Sequence, residues 1–160
     1  MTDEPEIRIT HLQRRRIEGR VPIPFIAACA ERFGEAATRE LVMLVVERIS
    51  AADGANWAAI YGGGMSGLKR VAEELWAGGG GMEIEQIGEA EDHLDFNVTR
   101  CGYAEFYKEL GLAEIGYLLQ CSRDHAIIDG FAPEFELQRT GTIMEGAPCC
   151  DFRYRRKSRG

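Results

Sequence analysis

No apolar run in this chain approaches the roughly 18 residues that a bilayer-spanning helix needs, so the reading has no membrane in it. The opening residues, MTDEPEIRIT, are acidic and lack an apolar stretch, which predicts no secretory leader and a cytoplasmic protein. Cysteine is sparse, odd in number and scattered, at positions 29, 101, 121, 149 and 150. That pattern argues against a disulfide framework and for free thiols. It also lacks the close Cys pairs of zinc sites: a set drawn from Cys101, Cys121, Cys150 and His125 has no such pair, and adjacent Cys149 and Cys150 share one tetrahedral ion poorly. No metal and no cofactor are expected. Positive charge is scarce between the ends. Residues 1–20 carry five arginines against four acids and residues 153–159 carry five Lys or Arg, which leaves nine basic and 22 acidic residues for the body. Such a surface repels nucleic acid, and the basic ends read as solvated termini. Alternating βαβ units are missing too.

What is present suits one α+β domain over residues 1–160: a mainly helical half (1–78), a strand-helix-strand half (82–155) and a basic tail (156–160). Helical spacing runs from Ile7 to Arg20 and from Phe25 to Arg32, where Gly34 closes it. It continues from Glu35 to Ser50, where Leu41, Leu44, Val45 and Ile49 form the stripe of a core helix, and through Asn56–Tyr61 and Leu68–Trp76. The periodicity then switches to two. MEIEQI, with one break in its alternation, and Leu94–Val98 predict an antiparallel hairpin turning at 90–93. Helix returns at Tyr103–Leu110 and at Glu114–Gly130, broken near Cys121, and FELQRT and CDFRY give two more strands. The expected fold is helices over an antiparallel sheet of about four strands, with a pocket between them.

Two glycine runs are tempting. GGGMSG at 62–67 matches G-x-G-x-x-G in form, but helix rather than strand precedes it, so the dinucleotide reading fails. GGGG at 78–81 reads as a flexible turn. His11, in a polar helix, and His93, in an acidic turn, read as surface residues.

The second half holds the chemistry. Asn97, Arg100, Cys101 and Tyr103 meet at a strand-to-helix junction, Cys121 and Asp124 share a helix face at i, i+3, and CCDFR sets thiols beside Asp151 and Arg153. On a strand, Asp151 and Arg153 face away from Cys150 and Phe152. A thiol near a cation can become a nucleophile and a carboxylate can move protons, whereas a free cysteine with no such role is a small buried apolar residue.

Taken in order, Arg100-Cys101-x-Tyr103, Leu110-Gly111, Cys121-x-x-Asp124, Arg139-Thr140 and Gly146-x-x-x-Cys150-Asp151-Phe152-Arg153 resemble the L-2-amino-thiazoline-4-carboxylic acid hydrolase family over about Asp95 to Tyr154. The ending EGAPCCDFRY is similar, more loosely, to vinyl-reductase-type ligand-binding domains, which implies an alternative as a non-catalytic small-molecule binder or sensor. The family resemblance implies hydrolysis of a carbon–nitrogen ring, a small cyclic amidine bearing a carboxylate such as 2-aminothiazoline-4-carboxylate, to an N-carbamoyl amino acid. It implies Cys101 or Cys150 as nucleophile or water-orienting group, with Cys121 beside them, and Asp124 and Asp151 in protonic and amidinium-binding roles. Arg100 or Arg139 becomes the carboxylate clamp, and Asn97, Tyr103 and Thr140 further substrate contacts. Family members often carry His where this chain has Cys149. The implied partner is a small-molecule substrate, with a homo-oligomer left open.

Overall fold

The computed structural model describes residues 8–158; the predicted helix start at Ile7 and the last two residues of the basic tail lie outside them. Helices α1 (His11–Glu18), α2 (Pro22–Phe33), α3 (Glu35–Tyr61) and α4 (Gly64–Arg70) come first. The last of these runs on as a π-helical segment, Val71–Trp76. A hairpin of β1 (Met82–Ala90) and β2 (His93–Cys101) follows. Then come α5 (Gly102–Glu109), α6 (Ala113–Gly116) with a second π segment (Tyr117–Cys121), α7 (Arg123–Phe131), β3 (Phe135–Gln138) and β4 (Cys150–Arg156). The sheet is antiparallel in the order β1-β2-β4-β3, an α+β architecture. No helix among the described residues is long and apolar enough to cross a membrane.

Alternation decides what the sheet buries. Leu94, Phe96 and Val98 of β2 stand opposite Tyr154, Phe152 and Cys150 of β4, and the Phe96 and Phe152 rings stack with centroids 4.8 Å apart. The alternate residues, Asp95, Asn97, Asp151 and Arg153, fall on the other face. The break in the alternation of β1 meets a register shift at Gln86/Gly88, and the strand carries a second shift, at Glu83/Ile84, that the alternation does not announce. Leu68, Val71, Tyr107, Ile128 and Phe131 complete a core with the inner face of the sheet.

The long helix corrects the sequence reading. Leu41, Leu44, Val45 and Ile49, expected in the core, are between 44% and 57% exposed, while Val46, Ser50 and Gly54 are buried. The cause lies in the crossing of α3 with α7. A Cβ on Gly54 would stand 2.2 Å from the Ile127 carbonyl oxygen, and one on Gly130 would stand 1.9 Å from that of Ala51. Backbones this close select small residues for the interface, so the large apolar side chains turn outward. There Leu41, Val45 and Ile49 line, with Phe25 and Ile26 of α2, a groove of about 510 Å³.

The GGGG segment is a 3-10 turn (Gly78–Gly80) held by its surroundings. The Gly102 amide donates to the Gly81 carbonyl at 2.8 Å, and a Cβ on Gly81 would collide with the Trp76 carbonyl oxygen. Upstream, GGGMSG follows helix α3, as the failed dinucleotide reading requires.

Candidate active site

A second, smaller cavity of about 50 Å³ lies between the helices and the inner face of the sheet. Two local irregularities shape its wall. Both π segments close with an i to i+5 hydrogen bond, Ala77 N to Ala72 O and Ser122 N to Tyr117 O, each 2.9 Å. Their last residues, Trp76 and Cys121, both line the cavity. Single π turns often mark functional positions, because the wider turn re-aims one side chain.

Three thiols face this space. Cys101 ends β2 just before α5, Cys150 opens β4 and accepts a hydrogen bond from the Ile143 amide at 3.2 Å, and Cys121 ends its π segment. Burial pushes all three thiols up, Cys121 furthest, and the nearby Asp124 charge adds to it. The Cys101 thiol is pushed up although the Tyr103 and Ala104 amides pull against burial, and Cys150 is pushed up to about 11. At neutral pH they are therefore thiols rather than thiolates.

Asp124, in the first turn of α7, is ion-paired with Arg139, which lies just past β3. The Arg139 guanidinium also donates to the Cys121 carbonyl at 3.0 Å and lies 5.2 Å from the centre of the Phe152 ring. Its side chain is 4% exposed and that of Asp124 15%. Burial lifts the Asp124 carboxyl above its ordinary value against the pull of Arg139. Burial works against the Arg139 charge as well, but Asp124 outweighs it and holds the guanidinium protonated.

Tyr103 completes the group: Cys101, Tyr103, Cys121, Asp124, Arg139 and Cys150 share the cavity. Four other predicted site residues lie outside it. Asn97 and Asp151 are register partners on the outer face of the sheet, where strand alternation puts them. Asp151 accepts hydrogen bonds from the Thr140 amide (2.9 Å) and hydroxyl (2.7 Å) and from the Gly141 amide (3.0 Å). Burial opposes its charge, but those bonds hold its carboxyl below the ordinary range. Asp151 and Thr140 thus brace the loop that carries Arg139. Asn97 accepts from Arg153 at 2.9 Å. Arg100 is exposed and pairs with Glu105 at 2.6 Å. Cys149 is half-buried and is not among the lining residues.

His11 is the residue the sequence reading misplaced. It was expected at the surface, yet it lines the cavity, and its Nδ1 lies 2.7 Å from the Tyr103 hydroxyl. A capping box explains its position: the Thr10 hydroxyl accepts from the Gln13 amide and the Gln13 side chain accepts from the Thr10 amide, which fixes the start of α1 at His11. Trp57 and Trp76, the only tryptophans in the chain, line the same space, as do Gln120 and Arg123. Two tryptophans in a chain of this size were the available signal.

Burial first, then the charges of Arg15 and Arg123 and, more weakly, Arg14, lower the His11 imidazole to about 4, with Glu18 opposing. An unfolded histidine protonates near 6.5, so between those values the unfolded chain binds more protons than the folded one. The stability contributed by this group is complete above about pH 6.5 and is lost as pH falls toward 4. Denaturant unfolding is expected to show a loss of about 2–3 kcal/mol between about pH 7 and about pH 4.5. In His11→Gln that loss is expected to be clearly smaller.

The fold and cavity define an α+β protein that holds a buried ion pair and three neutral thiols in one cavity. Residues 14–154 match the family model of L-2-amino-thiazoline-4-carboxylic acid hydrolase, and the chain belongs to that family. A search of curated proteins gives no match. His11 precedes the matched span. Among the described residues, no group of three or more His, Cys, Asp or Glu side chains is arranged to hold a metal ion.

Proposed function

We propose that this protein opens a small cyclic amidine bearing a carboxylate, 2-aminothiazoline-4-carboxylate or a close relative, in the cavity between helices and sheet. The observation that carries the reading is the buried Asp124–Arg139 pair, which sets a proton acceptor and a carboxylate-binding fork side by side. Arg139 uses two of its five N–H donors on Asp124 and the Cys121 carbonyl, which leaves three for a substrate carboxylate.

The atoms balance as follows. Water adds through its oxygen to the carbon between the two nitrogens and the sulfur, and Asp124 takes one water proton and passes it to the ring nitrogen, whose double bond to that carbon becomes single. The tetrahedral carbon then collapses: Asp124 takes the remaining hydroxyl proton as the carbonyl forms, the bond to the ring sulfur breaks, and the electron pair leaves with sulfur, which receives that proton from Asp124. N-carbamoyl-cysteine results. For this ring the bond that opens is therefore carbon–sulfur, while the carbon–nitrogen bonds survive in the ureido group. A carboxyl lifted by burial suits a group that both takes and returns a proton.

Cys101, Cys121 and Cys150, protonated at neutral pH, line and orient the site in this reading, and water is the nucleophile. The cavity as it stands has room for water rather than for the ring. Gln120 and Arg123 line both this cavity and the larger groove, so they stand where a substrate would pass from one to the other.

The test is to incubate the purified protein with 2-aminothiazoline-4-carboxylate and follow the carbamoyl product and the freed thiol. Product is expected from the wild type. Single replacements Cys101→Ser, Cys121→Ser and Cys150→Ser are expected to keep turnover within about tenfold. A fall of several orders of magnitude in any one of them would instead identify a thiol nucleophile. Protection against unfolding without product would contradict the hydrolase reading.

A further inference from the structure

Tyr103 has one hydroxyl proton and two neighbours. Its oxygen lies 2.7 Å from His11 Nδ1 and 3.3 Å from the Trp76 carbonyl oxygen, which cannot donate. Both contacts are hydrogen bonds in one arrangement only: the phenol donates to Trp76, and His11 Nδ1–H donates to the phenol. Burial keeps the phenol protonated, since it pushes the Tyr103 hydroxyl well up. The imidazole is then neutral, with its remaining lone pair on Nε2. That nitrogen is buried and has no hydrogen-bond partner among the described residues, although the residue lines the cavity. A buried acceptor left unpaired is costly, and a donor held in the cavity would meet it.

We propose that His11 Nε2 is a fixed acceptor that reads an N–H donor on the ligand, so the site selects a ring with an exocyclic amino group over one with an exocyclic oxygen. The substrate part of this inference rests on the hydrolase reading above; the acceptor itself rests on the Tyr103 hydrogen bonds and on the charges around the ring. Around His11, Arg14, Arg15 and Glu18 of its own helix, Arg123 of α7 and Tyr103 of α5 are the titratable or charged groups acting on the ring. Three cations against one carboxylate disfavour an imidazolium, which would turn the acceptor into a donor. An amino ring gives Nε2 a proton to accept. An oxo ring sets oxygen against the lone pair, and unpaired polar groups discriminate strongly in buried sites.

Two measurements on the full chain test this. In the first, ¹⁵N NMR of the histidines without ligand at neutral pH is expected to show His11 protonated at Nδ1 and bare at Nε2, with Tyr103→Phe weakening that preference. An Nε2–H tautomer or an imidazolium would overturn the acceptor whatever the protein binds. In the second, protection against unfolding is measured with 2-aminothiazoline-4-carboxylate and with 2-oxothiazolidine-4-carboxylate. The wild type is expected to prefer the amino ring at least about tenfold. His11→Phe, which keeps a flat ring and removes the acceptor, is expected to lose most of that preference by weakening the amino ring alone. An unchanged preference in a folded His11→Phe protein would overturn the donor-reading role. Binding of neither ring by a wild type with the expected tautomer would overturn the substrate reading and leave the fixed acceptor supported.

Discussion

Arg139→Met is expected to destabilise the protein by about 3–5 kcal/mol, read as a lower denaturant midpoint at neutral pH. The size of the effect follows from what is left behind. Asp124 is 15% exposed and its ionised carboxylate has Arg139 as its ion-pair partner, so removing the cation strands a buried charge. The same replacement unties the Cys121 carbonyl and removes the cation over the Phe152 ring, which adds to the loss. Pairing it with Asp124→Leu is expected to recover most of the stability, since two apolar side chains leave no charge unpaired. The double variant is expected to stay inactive. Recovered stability without recovered turnover would separate what the pair does for the fold from what it does for the reaction.

Gly54→Ala is the second large effect, expected at about 3 kcal/mol or more, with Gly130→Ala alike. Each new methyl would sit about 2 Å from a backbone carbonyl oxygen of the facing helix, Ile127 in one case and Ala51 in the other. Backbone does not rotate away as a side chain tip does, so α3 and α7 must separate, and every contact along their crossing loosens. Because α7 carries Asp124 and Arg123, both variants are also expected to lower turnover. A chemical denaturation curve on each variant checks the first effect, and the product assay the second.

Much of this fold is legible in the sequence because period-two and period-3.6 patterns are consequences of backbone geometry. The β1-β2 hairpin, its irregular first strand, and the break in helix at Cys121 are all written in local spacing. The face of α3 is not, because apolar spacing assumes that the largest side chains seek the core. Here a close backbone crossing governs, and Gly54, Ser50 and Val46 take the interior. The site divides along similar lines. Alternation says that Asp151 opposes Cys150, but only the assembled sheet says which face holds the cavity, and so Asp151 and Asn97 brace the outside while Cys150 lines the pocket. His11 was beyond local reading altogether. Its partner, Tyr103, lies 92 residues away, and a polar helix gives no sign that its first histidine turns inward.

In the proposed reaction Asp124 moves the proton that opens the ring, and the kinetics of Asp124→Asn on 2-aminothiazoline-4-carboxylate report on that step. The amide keeps the shape and a hydrogen bond to Arg139, so the variant is expected to fold. Its kcat is expected to fall by about 10²–10⁴ with KM changed far less. A folded Asp124→Asn protein that releases N-carbamoyl-cysteine at the wild-type rate would mean that Asp124 does not move this proton.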